Sequence, residues 1–185
     1  EKIELFNVLL LEYNKRYNLI SKNSESVIWD RHVLDSAQII KFIDFQKSCS
    51  LSDLGSGGGF PGIILSIYNK NLNFHVKLHE KSTIKADFLR EIKQKLELKF
   101  ELINSDIYRV KIDSNYIVCR AFRKLPEILN ISREICTKKH KLIILKGKSA
   151  QEEVNKALMK EEFEYKLEDS ITNKESKIII IDVKK

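Results

Sequence analysis

Long apolar runs are missing from this chain. None approaches the roughly 18 to 20 residues that a helix needs to cross a bilayer. The opening Glu1-Lys2-Ile3-Glu4 lacks the charged-then-apolar layout of a secretory signal. We therefore expect no membrane partner and a cytoplasmic location. Cysteine is scarce: Cys49, Cys119 and Cys136 form an odd set without paired spacing, so reduced thiols are expected. Neither these nor His32, His75, His79 and His140 fall at metal-ligand spacing, and no metal site is expected. No G-x-x-x-x-G-K-[ST] phosphate loop occurs, which argues against a nucleotide triphosphatase. Internal repeats and low-complexity segments are also absent.

Glycine and proline are rare, and they are clustered. Five of the six glycines and one of the two prolines fall in Asp53-Leu54-Gly55-Ser56-Gly57-Gly58-Gly59-Phe60-Pro61-Gly62. A short apolar run ending on a carboxylate precedes this stretch, and Ile63-Ile64-Leu65-Ser66-Ile67-Tyr68 follows it. Proline is tolerated in a first helical turn, where its missing N–H would have been unpaired. The local reading is strand, glycine-rich turn, helix, the unit by which α/β folds bring bare backbone up to a nucleotide-like ligand. With 43% hydrophobic and 32% charged residues over 185 positions, the chain suits one globular domain. Its net charge of +7 favours an acidic partner, and nucleic acid is the usual one.

Apolar periodicity organises the rest. Ile3, Phe6, Leu10, Tyr13 and Tyr17 predict a first helix, and Trp29, Val33, Ala37, Ile40 and Ile43 a second over about 27–43, separated by polar 18–26. Together, residues 1–48 read as a helical extension in front of a 49–185 domain, the two forming one compact unit. From residue 50 strands alternate with helices: 51–53, 75–80, 100–104, 116–120 and 141–146 read as strands. A helix carries Ile84, Phe88, Ile92 and Leu96, and another runs from Pro126 to Cys136. Ser149-Ala150-Gln151-Glu152 has the form of a capping box opening a helix to about Lys160. Strands at 163–167 and 178–183 are separated by too few residues for a crossover, so that pair is expected to be antiparallel. Five parallel strands closed by an antiparallel hairpin differ from a plain dinucleotide-binding fold.

The glycine stretch fits two patterns. Gly57 to Gly62 matches G-x-G-x-x-G, the dinucleotide fingerprint, which keeps an NAD-dependent oxidoreductase as an alternative. Asp53 to Gly59 matches D-x-G-x-G-x-G, the first motif of S-adenosylmethionine-dependent methyltransferases. In that register Asp53 could meet a ligand ammonium group, and Gly55, Gly57 and Gly59 let the ligand lie against backbone. Glu80 ends the next strand, where an acidic side chain accepts ribose hydroxyls in either enzyme class. Asp106, just past the third strand, is an adenine-side candidate.

Several stretches occur in a fixed order: Tyr13-Asn14-Lys15-Arg16-Tyr17-Asn18-Leu19, Arg31-His32-Val33-Leu34-Asp35-Ser36, the loop 53–62, Phe88-Leu89-Arg90, Cys119-Arg120-Ala121-Phe122 and Leu145-Lys146-Gly147. This set resembles the bacterial ribosomal RNA small subunit methyltransferase G family, also called glucose-inhibited division protein B, over essentially the whole chain. The resemblance implies an α/β, Rossmann-like class I methyltransferase fold: a mostly parallel seven-stranded sheet, an antiparallel last strand and an N-terminal helical extension. It implies methylation of guanine N7 in the decoding-region loop of 16S rRNA, at position 527 in the usual rRNA numbering. It further implies contact with S-adenosylmethionine by Gly55, Phe60, Ile107, Tyr108 and Arg120, with Lys146, Asn18, Arg31 and His32 bordering the RNA pocket. Glu80, Ile20 and Asp106 depart from that family's usual Asp, Thr and Arg.

The chemistry agrees with what is missing. Guanine N7 has a free lone pair and no proton, so in-line transfer needs alignment and exclusion of water rather than a general base. No acid/base dyad is recognisable. The Asn-Pro-Pro-Tyr-type motif of amine methylation is absent after the fourth strand, and Cys119 sits in an apolar strand as core rather than as a nucleophile. Arg120, Arg123, Lys124, Lys146 and Lys148 lie at or after carboxyl ends of strands, and Phe122 offers a stacking surface for an extruded base. The expected partner is 16S rRNA or the 30S subunit, bound by a monomer. A non-catalytic RNA-binding module is the remaining alternative.

Overall fold

The computed structural model describes residues 1–159 and 162–184. Its strands are β1 (Ser50–Leu54), β2 (His75–His79), β3 (Phe100–Ile103), β4 (Tyr116–Arg120), β5 (His140–Lys146), β6 (Tyr165–Asp169) and β7 (Lys177–Val183). They form one sheet in the order β3-β2-β1-β4-β5-β7-β6. β7 runs antiparallel to both of its neighbours, β5 and β6, and toward β6 this follows from residues 170–176, which allow only a tight return. The strand order reverses between β1 and β4, and this is where open α/β sheets place their ligands.

Alternation along the central strands builds two cores. Val118, Ile143, Ile178 and Ile180 point to one face, together with Leu51 and Leu78. Ile117, Cys119, Leu142, Ile144, Ile179 and Ile181 point to the other. Both faces are covered, so β5 and β7 read as unbroken apolar runs. The first face is covered by α1 (Lys2–Asn14), by the irregular helical run that includes α3 (Asp35–Ala37), by α4 (Gly62–Tyr68) and by α5 (Thr83–Lys95). The second is covered by α6 (Leu125–Ile135) and α7 (Ala150–Leu158). Phe6, Leu10 and Ile39 of the N-terminal segment are fully buried in the same core as Leu51 and Phe88.

Several elements differ from the sequence reading. The polar stretch 18–26 contains a short helix, α2 (Lys22–Glu25). The second predicted helix is not a uniform α-helix: Trp29–Leu34 is a π turn, α3 follows, and Gln38–Phe42 is a 3₁₀ turn. The change of pitch shifts the apolar phase, so Trp29 is 51% exposed while His32 is buried. Tyr17 and Ile84 also stand outside the faces assigned to them. The capping box does not close. Ser149 Oγ donates to Glu153 Oε1 at 2.9 Å instead of accepting a backbone N–H, and Glu152 pairs with Lys156. The predicted end of that helix at Lys160 lies outside the described residues. The first strand of the hairpin starts at Tyr165 rather than Phe163.

Candidate active site

The glycine loop leaves β1 at its carboxyl end and is knitted together from below. Asp53 is fully buried, and its Oδ2 accepts the Gly62 N–H at 3.0 Å, which tethers the start of α4. This places a carboxylate at a helix N-terminus, where unpaired N–H groups favour negative charge. The expected opening of Asp53 toward a ligand is not seen. Its Oδ1 is buried and without a hydrogen-bond partner. Burial pushes its carboxyl up to about 7, against the opposing pull of the Gly62 N–H and of Arg120.

Glu80 also works on the loop. Its Oε2 accepts the Gly57 N–H at 2.9 Å and its Oε1 the Ser82 N–H at 2.8 Å. The carboxylate therefore bridges the glycine turn and the entrance to α5, while each oxygen keeps a lone pair. Gly55 and Gly57 have left-handed φ of +71° and +55° and are the partly exposed members of the turn. A Cβ on Gly55 would lie 2.4 Å from the Phe122 ring, so only glycine fits between that ring and the strand end. Gly59 serves packing instead. It is buried, and a Cβ there would meet Ile63 at 2.6 Å and Phe6 at 3.2 Å.

Phe60 is nearly enclosed. Its ring packs against Phe6 with centroids 5.2 Å apart and stacks on His32 at 4.9 Å. The Arg120 guanidinium lies 5.3 Å from the same ring. Arg120, the last residue of β4, is the hub of the site. Its Nη1 donates to Arg31 O at 2.7 Å and to Asp35 Oδ2 at 3.1 Å, and its Nη2 bonds His32 Nδ1. Burial lowers the Arg120 pKa, and the Asp35 carboxylate opposes that shift. His32 is held neutral with a pKa of about 3, by burial first and then by Arg120 and Arg31. Since Nδ1 accepts from the guanidinium, the proton of the neutral ring sits on Nε2, a buried atom with no partner.

Arg31, His32, Asp35, Arg120 and Lys146 converge on a cleft of about 550 Å³ over the carboxyl end of the sheet, with Thr172 on its far wall. Four of the acceptor-side candidates, Arg31, His32, Arg120 and Lys146, are thus brought together, while Asn18 and Arg123 do not line this cleft. Lys146 is not a free cation: its ammonium pairs with Glu153 at 2.8 Å and bonds Arg123 O. Arg123 lies over the Phe122 ring and pairs with Glu127. Ile107 is buried and Tyr108 is 52% exposed, in a 3₁₀ turn over Ile107–Arg109. Asp106 caps that turn by accepting the Tyr108 N–H at 3.1 Å. Asn18 is exposed.

Sequence reasoning passed over two anchors. Asn14 Oδ1 accepts the N–H groups of Leu19 and Ile20 at 2.7 and 2.9 Å, and its Nδ2 donates to Glu25, which fixes the strap after α1. Asp35 holds Arg120. Both lie inside the ordered motifs, so their position was visible even though their roles were not. Among the described residues no cluster of three metal-ligating side chains occurs, and no helix is long and apolar enough to cross a membrane.

A glycine turn with left-handed backbone, an acidic residue closing β2 and a 3-2-1-4-5-7-6 sheet define a class I S-adenosylmethionine-dependent methyltransferase. A methyltransferase of that class from Aquifex aeolicus superposes with a TM-score of 0.67 at 14% identity, covering 94% of this chain and 97% of that one. The chain itself belongs to the GidB family, rRNA small subunit methyltransferase G, whose model matches residues 1–180. It is 38% identical to ribosomal RNA small subunit methyltransferase G of Pelagibacter ubique, over 100% of this chain and 87% of the relative. With that of Rickettsia felis it shares 39% identity, over 97% and 91%. The dinucleotide register of the loop finds no support in these relationships.

Proposed function

We propose that this chain transfers the methyl group of S-adenosylmethionine to N7 of a guanine in 16S rRNA, in the decoding-region loop at position 527. The observation that carries the reading is the family match along residues 1–180. When bound, the cofactor supplies an electrophilic methyl on a sulfonium. Gly55 and Gly57 offer bare backbone to it, Glu80 retains lone pairs for ribose hydroxyls, and Ile107 with Tyr108 forms an apolar edge. Asp53, Gly59 and Phe60 contribute from beneath, by holding the loop in shape. Arg120 spans the donor and acceptor sides, and Asp35 and His32 fix its guanidinium.

On the acceptor side, Lys146, Arg123, Asn18, Arg31 and His32 position the RNA. A histidine with a pKa of about 3 moves no proton near neutral pH, which suits an acceptor nitrogen that carries none. Orientation and exclusion of water then account for the rate gain. We treat residues 1–48 as the helical extension and 49–185 as the methyltransferase domain of one compact unit. The core shared by Phe6, Leu10 and Phe88 supports their forming one unit. All of these groups lie on a single chain, in keeping with a cytoplasmic monomer acting on 16S rRNA or the 30S subunit.

The test is transfer of labelled methyl from S-adenosylmethionine to undermethylated 30S subunits and to protein-free 16S rRNA, with a no-RNA control. Label is expected in N7-methylguanosine after nuclease digestion. Donor binding without transfer to either substrate would contradict the reading and point to a non-catalytic RNA-binding module.

A further inference from the structure

We propose that Trp29 is a stacking platform for a nucleobase of the RNA substrate beside the methyl-accepting guanine. The inference rests on the rRNA-methyltransferase reading above. Exposure is the first observation. Trp29 is the only tryptophan of the chain, and half of it faces solvent, although its spacing assigns it to the core stripe. Backbone is the second. Trp29 opens the π turn Trp29–Leu34, and such turns are rare and concentrate at functional sites. The wider turn lets His32 and Val33 both face inward, at 8% and 4% exposure, and leaves Trp29 outside.

Location is the third. Two and three residues further on, Arg31 and His32 bond Arg120 at the carboxyl end of β4. Val27, Asp30 and Arg31 line the cleft that also contains Arg120 and Lys146. Trp29 stands between Val27 and Asp30 in the chain, so its backbone borders the residues that line this cleft. Charge supplies the nature of the partner. Arg31 is exposed and makes no ion pair among the described residues, and Lys15, Arg16 and Lys22 are also exposed; of the three carboxylates within 15–35 only Asp30 is exposed, since Glu25 is bonded by Asn14 and Asp35 by Arg120. An exposed aromatic among exposed cations matches a single-stranded RNA segment, whose bases stack on side chains while its phosphates meet arginine and lysine.

The test compares Trp29→Phe and Trp29→Leu, which both keep apolar bulk at the half-buried position, in steady-state methyl transfer to undermethylated 30S subunits. Trp29→Phe should stay within about threefold of wild type, while Trp29→Leu should raise the KM for 30S about tenfold with kcat little changed. S-adenosylmethionine affinity and melting temperature should match wild type in both. In parallel, wild-type emission excited beyond the tyrosine absorption band, which then reports Trp29 alone, should be quenched saturably by protein-free 16S rRNA at concentrations where filter binding registers the complex. Equal KM values for the Leu and Phe variants, or unquenched emission from a filter-retained complex, would overturn the proposal. A wild-type protein without transfer activity would instead overturn the reading on which it rests.

Discussion

At the scale of single residues, three buried titratable groups oppose one another. Asp53 has a pKa raised from 3.8 to about 7 by burial, so the folded chain holds a proton that the unfolded chain releases. Its contribution to stability is present at acid pH and is lost as pH rises from about 4 to 7. His32 and His79 have pKa values lowered from 6.5 to about 3 and about 4 by burial. Their contribution is present above 6.5 and is lost on acidification, because the unfolded chain then binds protons that the folded one refuses. Each group changes stability by about 1.4 kcal/mol per pH unit within its window. Replacing Asp53 by Asn removes the opposing group. The Asn variant should therefore gain stability relative to wild type at pH 7.5, an advantage of a few kcal/mol that shrinks toward pH 4.5. Urea melts across that range measure it, and a pH-independent difference would contradict the assignment.

Among the elements, the β1–α4 loop was the most legible part of the sequence and the π turn the least. The loop announces itself because left-handed glycines between a strand and a helix have few other uses. Its D-x-G-x-G-x-G register correctly indicated the cofactor. What spacing did not reveal is the division of labour within it: Gly57 has open space beside it, Gly55 is backed by the Phe122 ring, and Gly59 is packed against Ile63 and Phe6. Trp29 was misassigned because periodicity counts assume 3.6 residues per turn, and one wider turn exchanges the inside and the outside of the helix. The Ser149 box failed for a different reason. Glu153, one residue beyond the pattern, takes the serine hydroxyl, the Leu125 N–H and the Lys146 ammonium together. Gly55→Ala should cost about 2–3 kcal/mol, combining left-handed strain with a clash against Phe122. Adding Phe122→Ala should recover the clash and leave the strain. In a double-mutant cycle by chemical denaturation, simple additivity would rule out that contact.

For the molecule as a whole, the strands and the antiparallel last pair were readable from apolar runs and connection lengths, whereas their order in the sheet was not. The way the ends of the chain meet was not. Gln38 donates to Asp35 and to Ser170 Oγ and accepts the Ile171 N–H, and Thr172 donates to Asp35 Oδ1 at 3.1 Å. These polar residues, more than 130 positions apart, tie the N-terminal helices to the β6–β7 hairpin around the residue that holds Arg120. Hydrogen bonds between distant polar side chains leave no periodic trace, which is why the contact between the extension and the hairpin was not visible in the sequence. Gln38→Ala should destabilise the protein by about 2 kcal/mol by leaving buried partners unpaired. It should also lower methyl transfer, through the loosened Asp35–Arg120 pair. A loss below about 0.5 kcal/mol in the same denaturation assay would show that the clasp carries no weight.

The central claim joins this clasp, the glycine loop and Arg120 into one methyl-transfer site for rRNA. Mass spectrometry of 16S rRNA from a strain lacking the gene, compared with the same strain carrying the wild-type chain or Arg120→Ala, tests it most directly. The account predicts that N7-methylguanosine disappears from the decoding-region fragment, returns with the wild-type chain and fails to return with the Ala variant. Unchanged N7-methylguanosine in the strain lacking the gene would contradict it.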